Sequence, residues 1–379
     1  MGLTFEPLGK FIHEVDVRNT DLSVTKLMGV NLSKQMMPSV ANIVGTDLSA
    51  YKIVNKGQFA CKLMSVGRDA CLPIALKRDD EPVIISSAYY AFEVNDENEM
   101  MSEYLMMCFL RPDFDRELWF RTGGDVRGGV TWDTFCNINI PVLPIDEQRL
   151  LVQKYQVINK RIALLQTMNR CYQEIINAYF KKFYEEQCDT DTVLGNLCSL
   201  TSSKRVFAED YVSEGIPFYR GGEISLKKAG EPIDDPLFIS REHYEEIKDT
   251  YGVPKEGDIL ITAVGTIGNS YLVEDEEFYF KDGNIIWLKD FVKEEYRYYI
   301  YDFMQSKFFN VALNSLYIGS TQIALTIVGL SHMKLCISEP SRLTEYAANS
   351  SMLRKMIQQN QSELLKLHTL SKLLLAKGA

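Results

Sequence analysis

The sequence predicts an α+β chain built as a tandem repeat: two similar globular domains, each followed by a long helix. Three observations predict it. Apolar residues fall into a four-and-three spacing in two separate stretches, after Pro144 and after Pro340. Short apolar runs bounded by Gly and Asp precede each stretch and have the length of buried strands. The segments that carry these signals recur roughly 200 residues apart, the mark of an internal repeat.

The element order follows from these patterns. Lys56-Gly57-Gln58-Phe59-Ala60 matches Lys255-Glu256-Gly257-Asp258-Ile259-Leu260, a turn leading into a strand. Asp258 to Val264 and Asn284 to Leu288 have the composition of buried strands, whereas Glu99 to Phe109 and Tyr296 to Phe309 have helical spacing. Near the end of each domain comes a glycine-containing polar loop, Gly123-Gly124-Asp125-Val126-Arg127-Gly128-Gly129 in one and Gly319-Ser320-Thr321-Gln322 in the other. An alternating strand follows, Ile138 to Pro141 and Leu335 to Ile337, and then a proline before the helix. The sheet of each repeat is expected to be twisted or barrel-like.

The first helical seam reads Leu151, Tyr155, Ile158, Ile162, Leu165, Asn169, Tyr172, Ile176, Tyr179, Phe183; the second reads Leu353, Ile357, Asn360, Leu364, Leu367, Ser371, Leu374. Both are heptad seams of the kind that pairs helices. Each is interrupted by one asparagine. Such a residue either fixes the register and orientation of the partner helix at some cost in stability, or marks a solvated notch at a frayed part of the helix. The predicted boundaries are 1–144 for the first domain, 145–187 for the central helix, 188–340 for the second domain and 341–379 for the C-terminal helix.

Composition narrows the function. No apolar run approaches the ~18 residues that cross a bilayer, and the N-terminus lacks a secretory pattern. The eight cysteines are scattered without CxxC spacing and the four histidines do not cluster with them, so neither a zinc site nor a disulfide framework is expected. A cytoplasmic protein with reduced thiols follows. Neither a glycine-rich cofactor loop nor a GxxxxGKS/T phosphate loop is present. A nuclease built on Asp235 with Glu246-Ile247-Lys248 is disfavoured, because Glu245-Glu246 reads as a solvated helix face in an acid-dense region. The net charge of −10 is uneven: −5 and −11 in the two domains, +2 and +4 in the two helices. A nucleic-acid reader with this balance needs local basic patches and gains from a basic partner.

Certain phrases resemble the specificity subunit of Type I restriction–modification systems. They are Ile216-Pro217-Phe218-Tyr219-Arg220-Gly221-Gly222-Glu223-Ile224, Glu256-Gly257-Asp258-Ile259-Leu260-Ile261-Thr262, Gly265-Thr266-Ile267-Gly268 and Gly319-Ser320-Thr321-Gln322. Pro141-Val142-Leu143-Pro144-Ile145-Asp146-Glu147-Gln148 is similar to the family's proline-rich lead into its helix. The second such lead, Ser338 to Glu345, lacks the Glu-Gln pair, and the C-terminal helix is shorter, so the two partner-docking sites are not expected to be built alike.

The resemblance implies two target recognition domains, each reading one half of a bipartite DNA site, with antiparallel coiled-coil helices setting the gap. It implies no catalysis by this chain. Modification subunits would methylate adenine with AdoMet, and restriction subunits would translocate and cleave with ATP and Mg²⁺. The competing classes are a single-chain nuclease or methyltransferase and a coiled-coil adaptor that binds only proteins.

Base reading calls for Arg, Asn and Gln, and phosphate contact for Lys, Arg, hydroxyls and free backbone N–H groups. The candidates in the first domain are Lys62, Ser65, Arg68, Arg121, Arg127 and Thr131. In the second they are Lys204, Arg205, Tyr219, Arg220, Thr266, Asn284, Tyr317, Ser320, Thr321 and Gln322. Trp132 and Trp287 are expected in the core rather than as stacking platforms. Because the two loop sets differ in sequence, the two half-sites are expected to differ.

Overall fold

The computed structural model describes residues 4–39, 45–123, 129–316 and 324–377. The chain divides into two units, residues 1–163 with 366–379, and residues 164–365. Both long helices contribute to both units.

In the first unit the order is β1 (Thr4–Pro7), β2 (Ile12–Val15), β3 (Met28–Val30), β4 (Met36–Pro38), β5 (Lys52–Val54), β6 (Phe59–Cys61), α1 (Val66–Asp69), β7 (Ile74–Leu76), β8 (Val83–Ile85), β9 (Tyr90–Val94), α2 (Ser102–Phe109), α3 (Pro112–Phe120), α4 (Trp132–Cys136), β10 (Asn139–Val142) and the start of α5 (Ile145–Gln187). The second unit continues with β11 (Thr190–Val193), β12 (Ser199–Thr201), β13 (Tyr211–Val212), β14 (Ile216–Tyr219), α6 (Gly221–Ala229), β15 (Leu237–Ile239), α7 (Arg241–Tyr251), β16 (Ile259–Thr262), β17 (Ser270–Leu272), β18 (Tyr279–Phe280), β19 (Ile285–Lys289), α8 (Tyr296–Gln305), α9 (Lys307–Leu316), α10 (Ile327–Ser331), β20 (Lys334–Ile337) and α11 (Pro340–Lys377).

The repeat holds in the topology of the main sheets. The first unit has a four-stranded sheet ordered β2-β9-β6-β7 and the second one ordered β12-β19-β16-β17. In both, the glycine turn precedes the second-last strand of that order. Gly57 and Gly257 hold φ of 85° and 89°, a left-handed conformation that glycine adopts without strain. A short antiparallel pair, β1 with β10 and β11 with β20, leads into each long helix. Before each main sheet, a 3-10 turn packs on the short helix near the domain's end. A Cβ on Gly9 would lie 2.8 Å from Cys136 Cβ, and one on Gly195 would lie 3.2 Å from Ser331 Cβ. The two units diverge beside the main sheet. The second adds a four-stranded sheet, β13-β15-β14-β18, where the described residues of the first form the pairs β3-β4 and β5-β8.

Burial explains the long helices. In the first unit Val152 of α5 joins a core of Leu8, Phe59, Phe92, Tyr104, Phe109 and Phe135, with Leu151, Tyr155 and Leu375 packed against it. In the second, Phe180 and Phe183 join Tyr299, Phe303, Leu343 and Tyr346. There the two helices run antiparallel: Tyr179 stacks on Tyr346 at 5.0 Å, and Asn360 Nδ2 donates to Asn169 Oδ1 at 2.7 Å. The two seam interruptions therefore answer each other, which is the register-fixing arrangement and not a frayed notch. Ile158, Ile162, Leu165, Ile176 and Leu364 are buried as the seams require, and Leu353, Ile357, Leu367 and Leu374 are half-buried.

Two predicted helices end differently. The helix expected from Glu99 begins at Ser102: Met100 N closes a separate turn by donating to Asp96 O at 3.0 Å, Met101 is extended, and the buried Gln148 side chain ties the two together. Its Nε2 donates to Glu99 O at 2.9 Å and its Oε1 accepts from Met101 N at 2.9 Å. The helix expected over Tyr296–Phe309 is two helices. Ser306 is extended between them, its hydroxyl donating to Phe303 O at 2.7 Å and accepting from Phe309 N at 3.3 Å. Trp287 lies in the core and donates to Asp258 Oδ2 at 2.8 Å; Trp132 is partly buried and stacks on Tyr90 at 5.3 Å. All eight cysteines are free thiols, and no helix among the described residues is long and apolar enough to cross a membrane.

Candidate nucleic-acid interface

In the second unit the candidate interface is built outward from β16. Its residues Ile259, Leu260, Ile261 and Thr262 are all buried, so the strand is fixed from both faces. The chain then turns through 263–269 and returns as β17. The Thr262 hydroxyl pins this turn, accepting from Asn269 N at 3.0 Å and donating to Thr266 O, which leaves Thr266 exposed at the tip.

The loop at 281–284 bonds to this turn, and two further loops bond to that loop. Ala263 N donates to Asn284 O at 2.8 Å, Lys281 N to Tyr219 O at 2.9 Å, and Gly283 N to Ser202 Oγ at 3.2 Å. Leu325 N donates to Ala263 O at 2.9 Å, so the segment that leads to α10 meets the same place. Lys204, Arg205, Arg220, Thr266 and Asn284 are thus gathered on one interlocked set of loops. Tyr219 is the exception among the candidates of this unit. Its ring is buried and stacked on Phe278 at 4.8 Å, so it serves the core and not the interface.

The first unit repeats the arrangement with other side chains. After β6, a 3-10 turn at Leu63–Ser65 and α1 replace the open loop. Val130 N donates to Leu63 O at 3.2 Å, the counterpart of Leu325 to Ala263. Gly129 is needed there, since a Cβ would fall 2.7 Å from Met64 Cα. Thr131 then caps α4 by accepting from Thr134 N at 3.2 Å, just as Thr326 caps α10 by accepting from Gly329 N at 3.0 Å. Lys62 and Arg68 share a recess of about 300 Å³ with Asn31, Leu32 and Tyr89. Ser65 is in its wall but buried, and Arg121 caps the end of α3. Arg127, Tyr317, Ser320, Thr321 and Gln322 lie outside the described residues.

The cations are held rather than loose. Arg68 grips Asp69 through two bonds of 2.7 and 2.8 Å, Arg205 meets Asp282 at 2.8 Å, Arg121 pairs with Glu117, and Arg220 pairs with Glu223. Burial raises the Glu223 carboxyl, but the Arg220 guanidinium and two backbone N–H groups outweigh it and hold the group below its ordinary range. The Lys62 and Lys204 ammonium groups sit over the rings of Tyr89 and Tyr251, at 5.6 and 5.0 Å. Paired guanidiniums are pre-aimed, and any phosphate would have to compete with the carboxylates for them. Sequence reasoning missed Ser202, Lys281, Asp282 and Tyr89, whose signal exists only once the loops are brought together.

Residues 191–341 match the family model described as the Type I restriction modification DNA specificity domain. A putative type I restriction enzyme specificity subunit of Haemophilus influenzae is 37% identical over 112 residues, which are 28% of this chain and 27% of that relative. The chain's match therefore spans little more than a quarter of that relative's length. The crystal structure of the S subunit of a Type I restriction–modification system from M. genitalium shares the fold, with a TM-score of 0.65 and 14% identity over 100% of this chain and 96% of that one. The second domain is therefore similar in sequence to DNA specificity domains of this type. The likeness of the whole chain to that S subunit is one of fold.

Proposed function

We propose that the chain selects the DNA sequence for a Type I restriction–modification complex, each domain reading one half of an asymmetric bipartite site. The observation that carries this reading is the doubled interface. The same hydrogen-bonded junction, Leu63 with Val130 and Ala263 with Leu325, presents different side chains in the two units. A shared frame with exchanged contact residues suits two different half-sites.

On this reading the antiparallel helices fix the gap between the half-sites, as dimer spacing does for other readers. Modification subunits dock on the helices and methylate adenine with AdoMet; restriction subunits add translocation and cleavage with ATP and Mg²⁺. Exposed apolar residues on the helices favour such docking: Leu150 and Val157 in the first unit, Leu164, Ile175 and Leu365 in the second. The chain itself contributes recognition and no catalysis, and it works in the cytoplasm where the DNA is. Acidic domains with pre-paired arginines bind DNA weakly alone, so the partner subunits supply much of the phosphate affinity.

Mapping methylated motifs in the host genome with and without the gene tests the proposal. A bipartite motif with unlike halves should vanish on deletion. An unchanged methylome would refute the function, and identical inverted halves would refute the asymmetry.

A further inference from the structure

The two long helices are tied to their domains by different chemistry. In the first unit Gln148, fully buried, joins α5 to the domain through Glu99 O, Met101 N and Leu143 O, the last at 2.8 Å. The equivalent position, 195 residues on, is Leu343, which is also fully buried but has no polar side-chain atom to offer. In the second unit the polar tie has moved to α8. Asp302 is 2% exposed, and its Oδ2 accepts from the Tyr346 hydroxyl at 2.5 Å and from the Ser350 hydroxyl at 2.6 Å. Its Oδ1 pairs with the Arg354 guanidinium, which lies over the Tyr301 ring at 4.4 Å.

Tyr346, Ser350 and Arg354 follow one another at intervals of four along α11, so they form one stripe facing a single carboxylate. Rotation of α11, or a slip by one turn of ~5.4 Å, would strip that carboxylate of its donors. A buried charge without partners is among the costliest defects a fold can carry. The node therefore reads both the rotation and the axial position of α11.

We propose that Asp302 is a positioning residue: through Tyr346, Ser350 and Arg354 it sets how the second recognition domain is mounted on α11, and so contributes to choice of gap length but not to choice of bases. This rests on the reading of the chain as a specificity subunit whose helices set the gap.

The test uses the complex reconstituted with its modification subunits. Methylation rates are compared on the preferred target, on targets with the gap one base pair longer or shorter, and on targets with one half-site base changed. Asp302→Asn should lower discrimination against the wrong gap on the order of tenfold, and Tyr346→Phe, which removes one donor and keeps the ring, should lower it less. Discrimination against wrong bases should stay within about twofold of wild type. If Asp302→Asn does not assemble, Tyr346→Phe decides by the same two ratios. Unchanged gap discrimination in an assembled variant, or a parallel fall in gap and base discrimination, would overturn the inference. A wild-type complex indifferent to gap length would instead overturn the underlying reading, and this inference with it.

Discussion

The hydrogen bond between Asn169 and Asn360 is a polar interruption in a largely apolar helix seam, and replacing it predicts a specific pattern of stabilities. Both side chains are half-buried, and they meet at 2.7 Å. Asn169→Leu leaves the Asn360 amide without that partner, at a cost of about 1–3 kcal/mol. Half-burying the new leucine returns about 1 kcal/mol. The single variants should therefore be less stable than wild type by up to about 2 kcal/mol. The double variant gains two half-buried leucines and loses one hydrogen bond worth about 1 kcal/mol net, so it should be the most stable of the four, by about 1 kcal/mol. The coupling energy of the cycle should be about 1–5 kcal/mol. Urea denaturation of the full chain, followed by far-UV circular dichroism, measures it. A coupling below about 0.5 kcal/mol, or a double variant less stable than both singles, would refute the claim that these residues hold register by pairing.

Other changes should behave as follows. Gly9→Ala forces a Cβ to within 2.8 Å of Cys136 Cβ and should cost about 1–3 kcal/mol by overpacking; Gly195→Ala, with 3.2 Å available, should cost less, and thermal melts of the two variants give the order. Gln148→Leu copies the residue used at Leu343 but strands Glu99 O, Leu143 O and Met101 N, so it should lower stability by about 3 kcal/mol, read from the urea midpoint. Asp258→Asn tests pH dependence: burial raises the Asp258 carboxyl in the folded chain despite bonds from Lys255 N and Trp287 Nε1, so ionisation costs more folded than unfolded. Wild type should thus lose stability relative to the variant as pH rises through the carboxylate range, from a fixed offset near pH ~3 to a plateau above pH ~6. A relative loss that grows on acidification would contradict this sign.

What the sequence revealed, and what it concealed, follows from the range of the interactions. The long helices were legible because a heptad seam repeats its signal every turn, and the doubled sheet because the Gly57 and Gly257 turns demand the same rare backbone conformation. Ser306 ends α8 without breaking the apolar spacing around it, so the periodicity ran straight through the break. Glu99 to Met101 have helical spacing, but Glu99 and Met100 close a separate turn and Met101 is extended, tied by Gln148, a partner 47 or more residues away. Tyr219 has the chemistry of a DNA contact, yet its ring is taken by Phe278, which no local pattern announces. Asp302 is the clearest case: it sits in an aromatic-rich helix, and its partners on α11 are 44 to 52 residues further on. The acidic partners of Arg205 and Arg68 show the same division. Asp69 is adjacent to Arg68, whereas Asp282 reaches Arg205 only through the meeting of two loops.

The most direct test of the proposed function is to exchange residues 1–144 for the corresponding residues of a Type I specificity subunit and select targets from a random duplex pool with the reconstituted complex. One half of the selected motif should change completely, while the other half and the gap stay as they were. A motif that does not change, or one in which both halves change together, would contradict the claim that two separate domains read the two halves of the site.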